Sequence, residues 1–192
     1  NNSVIGFNVG ERFPGPDNEN NEGEAQIKEK SACGYSTDWW NSEIRGAAEI
    51  FTLGSNVNNI LGCGDADDKL NNPHKVKLDR KHGLIRPRVK ELQISKFHTM
   101  VLTTERTGNV LVCGTNKFVR LGLGTNDLVP KYSFQRVGYF ENLHIEMVSV
   151  SEDHTLALDS NSKLYAWGSN SYGQLGYETD SEYNNIPEQI LS

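Results

Sequence analysis

Motifs typical of enzymes and metal sites are scarce in this sequence. Its three cysteines, Cys33, Cys63 and Cys113, are odd in number and form no Cys-x-x-Cys pair. This argues against a disulfide framework or a zinc site and favours reduced thiols in an intracellular protein, cytoplasmic or nuclear. There is no phosphate-loop motif, no pair of carboxylates at fixed spacing and no Ser-His-Asp grouping. The sequence therefore predicts no catalytic residues, no metal and no cofactor.

Long apolar stretches are also missing. No run approaches the ~18 residues that cross a bilayer, and the first residues lack the layout of a signal peptide. The chain starts without methionine, so we interpret it as an internal part of a longer protein that does not enter a membrane.

Basic residues are outnumbered, with 19 Lys and Arg against 25 Asp and Glu, for a net charge of −6. This balance makes nucleic acid an unlikely partner, because affinity for phosphate backbones comes mainly from Lys and Arg. One segment departs from the balance, and its cations are Arg80, Lys81, Arg86, Arg88 and Lys90. We interpret it as an exposed loop that either contacts an acidic partner or is simply solvated.

The first 47 residues differ from the rest. They contain a polar, acidic stretch with glycine and proline over residues 13–25, which cannot bury enough apolar surface to offset its ordering entropy. We predict a linker or poorly ordered lead-in over residues 1–47, largely irregular over residues 1–35. Trp39 and Trp40 are either a docking motif or pack on the edge of the following domain.

Internal repetition begins near residue 48. The pattern Gly-[Ser/Thr]-Asn-x-x-x-x-Leu-Gly starts at Gly54, Gly114 and Gly168, and each copy follows a short apolar run. The pattern Ser-x-x-His-Thr-x-x-Leu occurs at His98 and His154, before the next apolar run. Short runs rich in β-branched and aromatic residues, separated by polar turns, are typical of β-hairpins.

The repeat predicts an all-β domain over residues 48–192, with units of about 48–103, 104–158 and a partial 159–192. A unit of three or four strands cannot bury both faces alone, so neighbouring units must stack. Radial stacking of four-stranded sheets is the arrangement of a β-propeller. We therefore predict about three blades of a partial propeller, with the remaining blades supplied by sequence outside this chain.

The repeated polar residues have structural explanations. We expect His98 and His154 to be buried and to hydrogen-bond backbone within their own blades, because a demand of the fold repeats and a catalytic site does not. The glycines at 54, 114 and 168 indicate tight turns with positive φ. The asparagines that follow, Asn56, Asn116 and Asn170, suit capping of turns by their side chains.

The repeats resemble those of the regulator of chromosome condensation family. The clearest copy is Tyr165-Ala-Trp-Gly-Ser-Asn-Ser-Tyr-Gly-Gln-Leu-Gly176, and the resemblance covers residues 48–192. The resemblance implies a β-propeller, which in members of this family has seven blades. Four segments are similar to the subgroup of BTB and ankyrin adaptors typified by the inhibitor of Bruton tyrosine kinase. They are residues 50–56, Lys96-Phe97-His98, Val129-Pro130 and residues 152–155.

This resemblance implies two possible functions, neither of them enzymatic. The first is recruitment of a substrate or protein partner to a cullin-type ubiquitin ligase. The alternative is guanine-nucleotide exchange on a small nuclear Ran-like GTPase, as in the founding member of the family. The first repeat departs from the pattern, since no Ser-x-x-His-Thr precedes Ile50. Either the propeller starts at residue 48, or its first blade is closed by sequence from elsewhere.

Overall fold

Three antiparallel sheets make up the structure, a computed structural model that describes residues 3–8, 49–64, 67–78 and 88–190. The first sheet contains β1 (Ser3–Asn8), β2 (Glu49–Ser55) and β3 (Lys69–Lys75). The second contains β4 (Val89–Ile94), β5 (His98–Thr103), β6 (Val110–Gly114) and β7 (Lys131–Arg136). The third contains β8 (Ile145–Val150), β9 (His154–Asp159), β10 (Leu164–Ser169) and β11 (Tyr183–Gln189). The predicted all-β fold of about three propeller blades is confirmed.

The limits of the sheets differ from the predicted repeat limits. Positions 103/104 and 158/159 were expected to separate units, yet they fall at the turns that join β5 to β6 and β9 to β10, inside the second and third sheets. The strand β8, which lies inside the predicted unit 104–158, pairs with β9 and opens the third sheet. Each sheet therefore begins one strand before the His-Thr strand.

The N-terminal lead-in differs from the prediction at one place. Residues 3–8 form β1, which pairs antiparallel with β2 in the register Ser3 to Gly54. Gly114 and Gly168 pair in the same way with His98 and His154. β1 therefore occupies the position of the missing His-Thr strand, and Ser3 stands where the other sheets have histidine. The remainder of the predicted linker, including Trp39 and Trp40, lies outside the described residues.

Two apolar layers join the three sheets. Ile50, Leu61, Val76, Val101, Leu111 and Phe134 belong to the layer between the first and second sheets. Met100, Leu102, Val112, Phe140, Tyr165 and Trp167 belong to the layer between the second and third. The long apolar runs of β5 and β6 are buried throughout because the second sheet is covered on both faces.

The sheets are also joined by a repeated set of polar contacts. The Trp167 indole Nε1 donates to the Arg120 carbonyl at 2.9 Å, and the Cys113 thiol at the equivalent position donates to the Ile60 carbonyl at 3.6 Å. Backbone Gly64 N donates to Tyr132 O at 2.9 Å, and Gly124 N donates to Asn185 O at 2.9 Å. Equivalent positions of the repeat thus hold each pair of neighbouring sheets, which defines the stacking geometry.

Candidate partner-binding surface

The asparagine of each repeat organises the loop that follows its strand. Asn56, Asn116 and Asn170 each accept a hydrogen bond on Oδ1 from the backbone N–H of the repeat leucine, at 3.1, 3.2 and 3.0 Å. Asn56 and Asn116 also donate through Nδ2 to the carbonyls of Asp67 and Asp127. These contacts cap the loops as expected and place all three loops at the same end of their sheets.

The glycine of each repeat has a positive φ, and two of the three allow a close approach between segments. Gly54, Gly114 and Gly168 have φ of 104°, 121° and 105°. They lie within or at the end of β2, β6 and β10, beside a shift in register, and not in turns as expected. A Cβ at Gly114 would lie 2.4 Å from Phe97 O, and one at Gly168 would lie 2.4 Å from Asp153 O. The positive φ is confirmed. Because glycine has no Cβ, the turn before the histidine strand can pack directly against it.

His98 links two sheets. The residue is fully buried, with Nδ1 2.9 Å from Ser95 Oγ and Nε2 3.2 Å from Thr155 Oγ1 of the third sheet. The expectation of contacts to backbone within one blade is therefore wrong for this side chain. It was wrong because sequence spacing gives no information on which groups of the neighbouring sheet face the ring. Burial, reinforced by the charges of Arg120 and His154, lowers the pKa of His98 to about 3.

His154 was expected to be buried in the same manner, and the structure differs. Its side chain is 26% exposed, and Nδ1 lies 3.0 Å from Asp153 Oδ1. Within the described residues no sheet covers the outer face of the third sheet, so this ring has no counterpart of Thr155. The two histidines share a place in the repeat but differ in environment.

We expect the stability of the protein to fall in mild acid because of His98. The unfolded chain binds a proton on this ring below pH ~6.5, whereas the folded protein keeps the ring neutral down to about pH 3. The contribution of His98 to the free energy of unfolding is therefore complete above pH ~6.5. It shrinks as the pH falls, by about 2 kcal/mol at pH ~5. Urea unfolding at several pH values, compared between the wild type and His98→Gln, measures it. Parallel curves for the two proteins would contradict the assignment.

Only part of the predicted basic surface lies in the described part of the chain. Arg80, Lys81 and Arg86 fall outside it. Arg88 is exposed, and its carbonyl accepts from Thr104 N at 2.8 Å. Lys90 is exposed but lies in β4, not in a loop as expected, and donates through Nζ to Glu146 O of β8 at 2.9 Å. Since Val89 pairs with Thr103, these two cations lie at the end of the second sheet opposite to the asparagine loops.

The asparagine-loop end carries a cluster that the sequence analysis missed. Arg120 is buried, donates to the carbonyls of Lys117 and Glu152, and places its guanidinium 4.7 Å from the ring centroid of Phe97 and 5.8 Å from that of Phe118. Burial lowers the pKa of Arg120, and the carboxylates of Asp153 and Glu152 oppose that shift. Departures from the repeat at these positions were the available signal, since the third repeat has Gln174 where Arg120 stands.

The described residues hold no group of three or more His, Cys, Asp or Glu side chains able to bind a metal ion. Among the same residues, no helix has the length and apolar character needed to cross a membrane. Cys113 is a free, buried thiol, and burial raises its pKa. Cys33 lies outside the described residues.

Stacked antiparallel sheets joined by the same contacts in each repeat define the class: this is a β-propeller repeat protein. Models of the regulator of chromosome condensation (RCC1) repeat match residues 107–158 and 148–174. The chain thus carries repeats of the regulator of chromosome condensation type. It is a repeat propeller of the protein-interaction type, and both matching models describe a repeat, not a catalytic domain.

The chain is similar in sequence to two curated relatives and in fold to one solved structure. It is 33% identical over 150 residues to BTB/POZ domain-containing protein 1 of Schizosaccharomyces pombe, covering 74% of this chain and 11% of the relative. It is 31% identical over 144 residues to the inhibitor of Bruton tyrosine kinase of Xenopus laevis, covering 74% and 10%. The structure of yeast RCC1 (Prp20) bound to Kap60 superposes with a TM-score of 0.62 at 15% identity, over 75% of this chain and 33% of that one. The chain thus spans about a tenth of the length of these two relatives.

Proposed function

We propose that this propeller recruits substrates or other protein partners to a cullin-type ubiquitin ligase inside the cell, and that it has no catalytic role of its own. The observation that carries the proposal is the identity to a BTB/POZ domain-containing protein and to the inhibitor of Bruton tyrosine kinase over about three quarters of the chain. The structure adds a physical reason. The repeated polar side chains are occupied in holding the sheets together, so the exposed loops at both ends of the sheets are left to contact partners.

Affinity purification and a nucleotide-release assay on the same full-length protein separate this function from its alternative. The proposal predicts that a cullin is recovered with the tagged protein. In a full-length protein with a BTB region, mutation of the cullin-binding surface of that region should abolish the recovery of the cullin. It also predicts that release of mantdeoxy-GDP from a Ran-like GTPase is not accelerated. Rapid nucleotide release without recovery of a cullin would overturn the adaptor role in favour of exchange.

We further propose that the basic segment over residues 80–90, called the basic loop from here on, is one of the docking surfaces. The variant replaces Arg80, Lys81, Arg86, Arg88 and Lys90 with serine. Its melting temperature should stay close to that of the wild type, because we expect all five charges to be exposed and exposed charges contribute about 0–1 kcal/mol each. Its binding to a recovered partner should weaken and become less sensitive to salt. A salt-titrated pull-down measures both, and unchanged binding at all salt concentrations would rule the loop out as a docking surface.

A further inference from the structure

We propose that a second surface, at the other end of the second sheet, docks an acidic segment of a protein partner. We call it the Phe97–Phe118 patch, and it consists of Lys96, Phe97, Lys117, Phe118 and Arg120. The inference rests on the proposed function, because it names the chemistry of a partner that an interaction module of this kind would recruit.

The patch is built around the buried guanidinium of Arg120. This group lies between the rings of Phe97 and Phe118 and is fixed from behind by the carbonyls of Lys117 and Glu152, at 2.6 and 2.5 Å. Phe118 is 37% exposed, whereas Phe97 is half-buried. A cation held between two rings fixes the orientation of both rings. Little side-chain entropy is therefore lost when a partner binds to them.

Two exposed ammonium groups flank the rings. Lys96 Nζ lies 5.1 Å from the centroid of Phe97, and Lys117 Nζ lies 4.9 Å from that of Phe118. Among the described residues, neither ammonium group forms an ion pair with a carboxylate. A pair of free cations beside apolar rings, on a chain of net charge −6, is complementary to carboxylates accompanied by an apolar side chain.

Comparison of the second and third repeats shows that the residues of the patch differ between the two copies. Where the second sheet has Lys96 and Phe97, the third has Glu152 and Asp153. Where the second loop has Phe118, Val119 and Arg120, the third has Tyr172, Gly173 and Gln174. The two copies therefore differ in charge at the positions of Lys96, Phe97 and Arg120, whereas the asparagine, leucine and glycine contacts are kept.

Backbone strain marks the same positions. Phe118 and Val119 have φ of 58° and 51°, and Gly173 occupies the equivalent position of Val119 with φ of 74°. A β-branched residue in the left-handed region is an outlier that costs about 1–2 kcal/mol. The second loop keeps this strain, although glycine would relieve it, and the strained segment carries the exposed ring of Phe118. Strain that persists at an exposed aromatic side chain points to binding.

The surroundings favour an acidic protein segment over nucleic acid or a second copy. Glu152 and Asp153 border the patch and would repel a continuous phosphate backbone, which needs more cations than Lys96 and Lys117 supply. A symmetric contact with a second copy would set the same cations against each other. A short segment with few carboxylates satisfies both conditions.

The test uses the intact protein and a fluorescein-labelled peptide in which glutamate alternates with glycine around one phenylalanine. Fluorescence anisotropy should show binding that weakens with salt and is absent for the glutamine version of the peptide. Lys96→Glu combined with Lys117→Glu should weaken binding at least about tenfold, and Phe118→Ala about fivefold. The matched control is Tyr172→Ala, since Tyr172 lies at the equivalent position and is 93% exposed. It should stay within about twofold of the wild type.

Several results would overturn the proposal. Equal binding by the wild type and the double lysine variant would do so, as would an equal loss in Tyr172→Ala. Tighter binding of a thymidine oligonucleotide than of the peptide, or a dimer in sedimentation that the lysine variant dissolves, would assign the patch to another occupant. Melting curves confirm that each variant is folded, and Arg120 is left intact for that reason. If peptide binding behaves as expected but no cullin is recovered, the adaptor role fails while the patch stands.

Discussion

Replacement of Trp167 by alanine is expected to lower the free energy of unfolding by about 3–5 kcal/mol. The side chain is fully buried between the second and third sheets, and its ring packs edge-on against Phe140 at 5.7 Å. The variant would lose this packing and also the hydrogen bond from the indole to the Arg120 carbonyl. Urea unfolding followed by far-ultraviolet circular dichroism measures the change without depending on tryptophan fluorescence.

Trp167→Phe is the matched control for this prediction. It keeps most of the apolar contact but leaves the Arg120 carbonyl without its donor, so a smaller loss of about 1–2 kcal/mol is expected. Equal losses in the two variants would show that the hydrogen bond, and not the packing, holds the sheets. A loss below about 1 kcal/mol in Trp167→Ala would contradict the stacking described here.

The second large effect is expected from Gly122→Ala, at about 2–4 kcal/mol. Gly122 has φ of 66°, and a Cβ there would lie 2.5 Å from Trp167 Nε1 of the neighbouring sheet. The methyl group would therefore force the second and third sheets apart locally, in addition to the cost of a left-handed alanine. Differential scanning calorimetry of the variant measures the loss.

Gly176→Ala separates the two causes. Gly176 is the equivalent glycine of the third repeat with φ of 74°, but the nearest atom to its Cβ is Ile190 Cδ1 at 3.6 Å. This variant should show the backbone cost alone, about 1 kcal/mol. The difference between the two alanine variants then reports the contact between sheets, and no difference would mean that Gly122 does not pack against Trp167 as described.

The strands and loops were predictable from the sequence because each repeat carries its own evidence. The apolar runs before Gly114 and Gly168 became β6 and β10, and the asparagines became loop caps. The limits of the sheets were not predictable in the same way. A repeating sequence can be divided at any point of its period, whereas the sheet is bounded by which strands exchange hydrogen bonds.

Contacts between distant segments account for the rest of what was missed. β1 lacks the His-Thr pattern, and its pairing with β2 joins segments some forty residues apart, which local patterns do not reveal. The partner of His98 is Thr155 of the next sheet, a contact that follows from stacking. Phe97 and Arg120 were each visible as departures from the repeat, but their approach depends on the register of β5 and β6.

Repeated residues hold the sheets together, and we propose that exposed, non-repeated residues bind partners. The most direct test measures affinity for a recovered partner in His98→Ala and in the basic-loop serine variant, at a temperature where both are folded. His98→Ala should lose about 1–3 kcal/mol of stability yet keep wild-type affinity per folded molecule. The loop variant should melt like the wild type and bind more weakly. A His98→Ala protein that melts normally but fails to bind would contradict this division.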